Sequence, residues 1–270
     1  MASKTDLKGL TALVTGGSSG IGLEFCRALA ARGADIIMVS IQERELREEC
    51  ARLRDAYGVE TCGMLLDLTA EDAADSIEAF LAEKGLDPDI LVNNAGIFSF
   101  DKLLDTDPAK ISRFIMLHVR AVTDLSLRFA SRMERKGRGW ILNMSSMSCW
   151  MPMPGIAMYS STKAYIRVFT RALHYEMRDS GVGVTVACPG GIATDLFGLP
   201  EPLKKLAVRI GVLQTPDRFA RKAVDRMLRR KKQYINGLLN RFSILFIGMT
   251  PTVVRMQVKR LMLDRGIRRP

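Results

Sequence analysis

The stretch Thr11-Ala-Leu-Val-Thr15 runs straight into Gly-Gly-Ser-Ser-Gly-Ile-Gly22 and then into an amphipathic segment reaching about Arg32. A β-prone run, a glycine-rich turn and a helix in immediate succession leave few architectures open. A chain leaving a strand this way returns over the sheet and starts the next strand in parallel. The rest of the sequence repeats the unit. DIIMVS (35–40) reads as a second strand and ERELREECARLRDAY as a charged helix; ETCGMLLDL carries a third strand ending near Asp67, and EDAADSIEAFLAEKG a third helix. DILVNNAG holds a fourth strand, a helical tract covers 108–135, WILNMSS (140–146) is a fifth strand, and a helix opening near YSSTK runs to about Asp179. VGVTVACPGG gives a sixth strand with its exit turn. After a loop at 190–215 come an amphipathic helix, TPDRFARKAVDRMLRR, and a last strand at QYING. The expected fold class is α/β, a doubly wound parallel sheet flanked by helices.

At 270 residues and 47% hydrophobic, the chain can bury one such core. No linker, repeat or low-complexity segment divides it. Residues 1–237 are expected to form the domain, and 238–270 a basic C-terminal extension made of an apolar turn, Pro251 and a basic amphipathic helix. That extension packs on the body, forms a subunit contact or lies on a membrane surface.

Charge is unevenly placed. From Glu201 onward 18 Lys/Arg face 4 Asp/Glu, a net of +14, while the first 200 residues carry 22 against 25, a net of −3. No nucleic-acid-binding motif accompanies the basic quarter, so no nucleic-acid partner is expected. A solvated face, anionic lipid and an acidic substrate group are the readings left. Cys26, Cys50, Cys62, Cys149 and Cys188 show no C-x-x-C spacing and no histidine cluster, which points to reduced thiols in a cytosolic protein and to no metal site. The opening MASKTDLKGL lacks a signal-peptide pattern, and no apolar run approaches the ~18 residues of a membrane-spanning helix. The expected location is cytoplasmic, with attachment to a membrane surface left open.

Two stretches carry chemistry. The glycine turn lets backbone approach a ligand closely, and the helix start behind it offers unpaired N–H groups to a pyrophosphate. In Tyr159-Ser-Ser-Thr-Lys163 a phenol and an ammonium stand four residues apart, on one face of a helix. That is either an exposed aromatic–lysine pair or a tyrosine whose proton a neighbouring cation makes available. A tyrosine with its ordinary pKa of about 10 is a poor base near neutrality. Positive charge from Lys163 would favour the phenolate.

The pattern T-G-x-x-x-G-I-G at 15–22, NNAG at 93–96, Ser146, Tyr159-x-x-x-Lys163 and Pro189-Gly190 with Thr194 following stand in one order and spacing. In these motifs the chain resembles the short-chain dehydrogenase/reductase family over roughly residues 8–196. The resemblance implies a Rossmann-type sheet and an NAD(P)-dependent enzyme acting on a CH–OH/C=O pair. By that resemblance Gly16, Ser19, Gly20, Ile21 and Gly22 cradle the pyrophosphate. Asp67 accepts from the adenine amine, although it or Thr69 could equally cap a helix, and Leu68 supplies a backbone contact. Asn94, Ala95 and Gly96 line the adenine ribose side, while Pro189, Gly190, Ile192 and Thr194 hold the nicotinamide end. Tyr159 is the general acid/base, Lys163 also holds the nicotinamide ribose, and Ser146 steadies the substrate oxygen. Ser145 is the structural neighbour. Where the family usually has an asparagine, the stretch MLHVRA puts His118. It could hold a water, relay protons itself, or be a polar residue satisfied inside the helix packing.

A carboxylate closing the second strand favours NAD, and this strand closes on Val39-Ser40-Ile41. Ser40 could donate to a 2′-phosphate and Arg44 could reach it, so NADP(H) is expected over NAD(H). On the substrate side Met147, Cys149, Trp150, Met151, Pro152, Met153, Pro154 and Met158 suggest a roomy hydrophobic site. The resemblance makes the loop at 190–215 a lid, in which Lys204, Lys205 or Arg209 could meet an anionic group. The C-terminal quarter is similar to the hydroxysteroid dehydrogenase and long-chain 3-oxoacyl reductase branch, which implies a bulky lipid-like ketone or alcohol, a steroid or bile acid being favoured. A binder without turnover, acting as sensor or scaffold, is the reading from another class. A homodimer or homotetramer through helices 108–135 and 158–179 is implied by resemblance.

Overall fold

The computed structural model describes residues 5–192, 213–247 and 249–264. Thr194 and the basic residues of the expected lid lie outside them. The strands are β1 (Thr11–Thr15), β2 (Asp35–Ser40), β3 (Thr61–Leu65), β4 (Ile90–Asn93), β5 (Gly139–Met144), β6 (Val182–Cys188) and β7 (Gln233–Ile235). They form one parallel sheet in the order β3-β2-β1-β4-β5-β6-β7. The order reverses between β1 and β4, the position where doubly wound sheets open a crevice at their carboxyl ends.

The helices are α1 (Gly20–Ala30), α2 (Glu43–Tyr57), α3 (Ala73–Lys84), α4 (Pro108–Ile115), α5 (Ala121–Lys136), α6 (Ala157–Glu176), α7 (Pro216–Leu228), α8 (Leu238–Ile247) and α9 (Thr252–Val258). Strand alternation decides which helix meets which face. Ala12, Val14, Ile36, Met38, Ile90 and Val92 point to one side, where Phe25 of α1, Leu53 of α2 and Phe219 of α7 cover them. Leu13, Ile37, Val39, Leu91 and Ile141 point to the other, under Ile77 of α3, Phe129 of α5 and Leu173 of α6. Both faces are therefore buried, as an all-parallel sheet requires.

Several boundaries differ from those the sequence suggests. β3 stops at Leu65, two residues short of Asp67, because its partner β2 ends at Ser40 opposite Leu65. The tract 108–135 is not one regular helix: a π turn over Met116–Arg120 separates α4 from α5. The apolar segment after Gly237 is a ten-residue helix, α8, and not a turn; it contains no glycine or proline to stop one.

Candidate active site

The site gathers at the carboxyl ends of β1, β2, β4, β5 and β6. The start of α1 is the first component. Ser19 is its N-cap, yet no side chain caps the helix and no acid stands in its first turn. Ser19 Oγ donates instead to Gln42 Oε1 at 3.0 Å. The N–H groups of the first turn thus have no partner within the helix and none from its cap. Gly16 and Gly20 have φ of +62° and +54°. A Cβ on Gly22 would stand 1.9 Å from the Gly16 carbonyl oxygen. The turn is closed so tightly that only glycine fits at its floor, while its outer side keeps donors for an anion. These residues fit a dinucleotide pyrophosphate.

The loop after β4 is pinned to this turn. Thr15 Oγ1 accepts from Asn94 N at 3.0 Å and Ala95 N at 3.1 Å, and donates to Val92 O at 3.4 Å. The Asn94 amide donates to Thr15 O at 3.1 Å and Gly16 O at 3.3 Å. Asn94 therefore serves the turn through its side chain. Gly96 sits where a Cβ would come 3.0 Å from His118 Nε2 and 3.4 Å from Lys163 Nζ. Asp67 is exposed and accepts from the Thr69 amide at 2.9 Å and the Thr69 hydroxyl at 2.8 Å, while Leu68 is buried.

At the end of β2, Ser40 Oγ lies 2.7 Å from Ser18 Oγ and accepts from Gln42 N at 3.1 Å. Ser18 also donates to Gln42 Oε1 at 3.1 Å. Ile41 beside them is 62% exposed. Arg44 is exposed and engages Glu45 and Glu48 at 3.4 and 3.9 Å. The strand end itself carries hydroxyl and amide groups and no carboxylate.

Tyr159 and Lys163 lie on the first turns of α6 and are both buried. Lys163 Nζ is 5.8 Å from the centroid of the Tyr159 ring and donates to Met144 O at 2.9 Å. Burial pulls the Lys163 pKa down to about 8. Burial also pushes the Tyr159 phenol above its ordinary value, the Ser146 hydroxyl acting against it and Cys149 with it. The charge of Lys163 is thus not what dominates the phenol in this structure. Desolvation is, and it favours the protonated tyrosine.

Ser146 follows β5 in extended backbone, and its Oγ accepts from Ser148 N at 3.1 Å. That bond uses an oxygen lone pair and leaves the hydroxyl proton for another acceptor. Ser145 faces the other way and donates to Lys163 O at 2.6 Å, tying β5 to α6. Beneath both, Asn93 and Asn143 stand opposite each other in β4 and β5. Their side chains bond at 2.9 Å and join Ser126 of α5 and Thr170 of α6. This buried, satisfied network locks two strands and two helices around the serine and tyrosine.

His118 is fully buried in the π turn. Nε2 accepts from the Ile97 amide at 3.0 Å, and Nδ1 lies 3.0 Å from Thr162 Oγ1. An amide can only donate, so Nε2 carries no proton and Nδ1–H donates to the threonine, which itself donates to Met158 O at 2.9 Å. Burial, with Lys163 adding to it, holds the imidazole pKa down at about 2, so the ring is neutral. Both nitrogens are used by protein. Of the three roles open in the sequence, the satisfied polar residue matches this bonding.

Met147 N donates to Pro189 O at 2.8 Å and Gly190 N to Asn236 Oδ1 at 2.6 Å, while Ile192 bridges to Gln214. A cleft beside Tyr159 is lined by Ser99, Leu103, Thr106, Phe114, Ile156 and Met158 among others. Met147 and Met153 sit on neighbouring turns outside that lining. Sequence reading missed Phe98, whose ring meets Tyr159 edge-on with centroids 5.0 Å apart. It also missed Thr162, inside the YSSTK motif, as the partner of His118.

Comparison with known proteins agrees with this arrangement. The short chain dehydrogenase family matches residues 10–201. A very-long-chain 3-oxoacyl-CoA reductase of Rattus norvegicus is 32% identical over 196 residues, 71% of this chain and 62% of that protein. The chain thus matches less than two thirds of the length of this relative. A short-chain dehydrogenase from Sphingobium yanoikuyae, solved in complex with NADPH, superposes with a TM-score of 0.76 at 28% identity, covering 95% of this chain and 98% of that one. A 7beta-hydroxysteroid dehydrogenase structure gives a TM-score of 0.82 at 28% identity, covering 92% and 96%. With its sheet order, its uncapped glycine turn and its serine–tyrosine–lysine cluster, the chain belongs to the short-chain dehydrogenase family, a family of NAD(P)-dependent oxidoreductases.

Proposed function

We propose that the protein is an NADP(H)-dependent oxidoreductase interconverting a hydrophobic ketone and its secondary alcohol. The observation that carries this reading is the meeting of Ser146, Tyr159 and Lys163 beside the glycine turn, at one end of one sheet. A bound nicotinamide dinucleotide supplies the hydride acceptor or donor. The first turn of α1 holds its pyrophosphate, and the loop after β4 and the Pro189–Ile192 segment line its length. In the oxidation direction Tyr159, once ionised, takes the proton from the substrate hydroxyl, while the Ser146 hydroxyl donates to the substrate oxygen. In the reduction direction the phenol gives that proton back. Lys163, anchored on Met144 O, keeps further N–H donors for the ribose and for the phenol side. His118 acts as a strut: it binds the Ile97 amide and Thr162, and so sets the loop after β4 against α6.

The NADP(H) preference rests on the carboxylate-free end of β2, where Ser18, Ser40 and Gln42 offer hydroxyl and amide groups, and on the likeness to an NADPH complex. For the substrate, the likeness to a hydroxysteroid dehydrogenase supports a steroid or bile acid. The likeness to a 3-oxoacyl-CoA reductase supports a long-chain 3-oxoacyl thioester as the second reading. Self-association through α5 and α6 is supported by apolar side chains left exposed there, Leu127, Tyr165 and Val168.

The test mixes the protein with NADP⁺ or NAD⁺ and a panel of hydroxysteroids, 3-hydroxyacyl thioesters and small alcohols, following reduced nicotinamide by absorbance. Tyr159→Phe is expected to lose roughly 10²–10⁴-fold in rate while still binding dinucleotide. Equal turnover in that variant would remove Tyr159 from the mechanism, and dinucleotide binding without turnover on any substrate would favour the sensor or scaffold.

A further inference from the structure

Helix α8 is turned the wrong way for a soluble surface. Leu238, Leu239, Phe242 and Phe246 are 70%, 73%, 63% and 68% exposed. At 100° per residue these four positions fall within an arc of about 100°, the width of the stripe that a surface helix normally buries. Here the helix sits with other residues inward. Asn240 reaches the site rim, where a Cβ on Gly190 would lie 2.2 Å from its Nδ2 and 2.8 Å from Met147 Sδ. The exposed apolar surface continues past Pro251 through Met249, Val253 and Val254. Between Leu238 and Asp264 the sequence holds four basic residues, Arg241, Arg255, Lys259 and Arg260, against a single acid, Asp264. Arg241, Lys259 and Arg260 are exposed. Among the described residues no helix is long and apolar enough to cross a membrane.

From this combination we propose that α8 and α9 dock the protein on an anionic lipid surface. The stripe of α8 enters the acyl boundary, and the basic side chains lie among the headgroups. Charge is what selects lipid over a second copy of the chain. In a two-fold contact the same patch faces itself, so four cations from each copy would be brought together with one acid, Asp264, from each to offset them. An anionic bilayer offers the opposite charge and the apolar layer at once. Docking does not depend on the catalytic reading. If that reading holds, α8 also sets the substrate rim at Gly190 and Met147 against the lipid, so that an apolar substrate passes from bilayer to site without crossing water.

The full chain is floated with vesicles of phosphatidylcholine alone and of phosphatidylcholine mixed with phosphatidylserine, at low and high salt. Binding to the mixed vesicles is expected, weakened by salt and roughly fivefold weaker for each basic side chain neutralised, as in Lys259→Gln and Arg260→Gln. The pair Phe242→Ser and Phe246→Ser, both exposed, should keep the melting temperature and lose flotation. Three results overturn the proposal: no flotation with either vesicle, flotation unchanged in the phenylalanine pair, or a fall in molar mass by light scattering in that pair with no vesicle binding by the parent. The last would assign the face to a second copy. None of these readouts uses turnover, so failure here and failure of the oxidoreductase reading are separable.

Discussion

Replacing His118 by asparagine should leave the fold intact and change how stability depends on pH. An asparagine carbonyl can still accept from the Ile97 amide. The histidine is neutral in the folded chain with its pKa near 2, but titrates near 6.5 when unfolded. Its folded pKa is depressed, so between those values the unfolded chain binds more protons, and stability falls as the solution is acidified below about 6.5. His118→Asn should therefore show a smaller drop in Tm between pH 7 and pH 5 than the parent. An unchanged slope would mean that the ring is not held neutral. A second pH dependence follows from Tyr159. Its phenol is held above the ordinary value, so the oxidation rate should climb with pH through the alkaline range and the reduction rate should fall. Profiles of kcat/KM in both directions check the sign.

At the scale of elements, the turn from β1 to α1 admits little change. Gly22→Ala would drive a methyl to within 1.9 Å of the Gly16 carbonyl oxygen. The strain should cost about 1–3 kcal/mol and weaken dinucleotide binding, measurable by thermal melts and by quenching titration. At the end of β2 the exposed side chain of Ile41 can be changed at little structural cost. Ile41→Arg should shift the NADPH/NADH ratio of kcat/KM further toward NADPH by supplying a cation at the strand end itself. The glycine turn and the tyrosine–lysine pair were legible because each is local, set by spacings of a few residues. The π turn was not: one extra residue in a helix leaves the 3.6 periodicity of its neighbours intact. The Asn93–Asn143 network was hidden for another reason, since its members are 50 residues apart and meet only when β4 and β5 pair. Helix α8 was read as a turn because seven of its ten residues are apolar, and so short a run with so few polar positions shows little contrast between one face and the other.

For the molecule as a whole, an aromatic chain adds to the sheet's own ladders in tying the C-terminal part to the N-terminal part. Phe25 of α1 meets Phe219 of α7 edge-on at 6.3 Å, and Phe219 meets Tyr234 of β7 at 5.3 Å. Arg32 and Asp225 pair at 2.6 Å over the same junction. Phe219 is fully buried, so Phe219→Ala should destabilise the fold by about 3–5 kcal/mol in a denaturant titration. That a parallel sheet is covered by helices on both faces follows from the alternation of strands and helices, which left the strand order open. Which side chains would lock the sheet's far ends together does not follow, because they are separated by most of the chain. The threonine that closes β1 has a consequence of a different kind. One oxygen, Thr15 Oγ1, receives the amides of both Asn94 and Ala95 and is itself part of the turn that faces the nucleotide. Those two amide protons are thus natural clocks for nucleotide occupancy. Their exchange with deuterated solvent should slow when a dinucleotide settles on the turn, and a mass spectrum of the peptide spanning them would report binding without label, substrate or turnover.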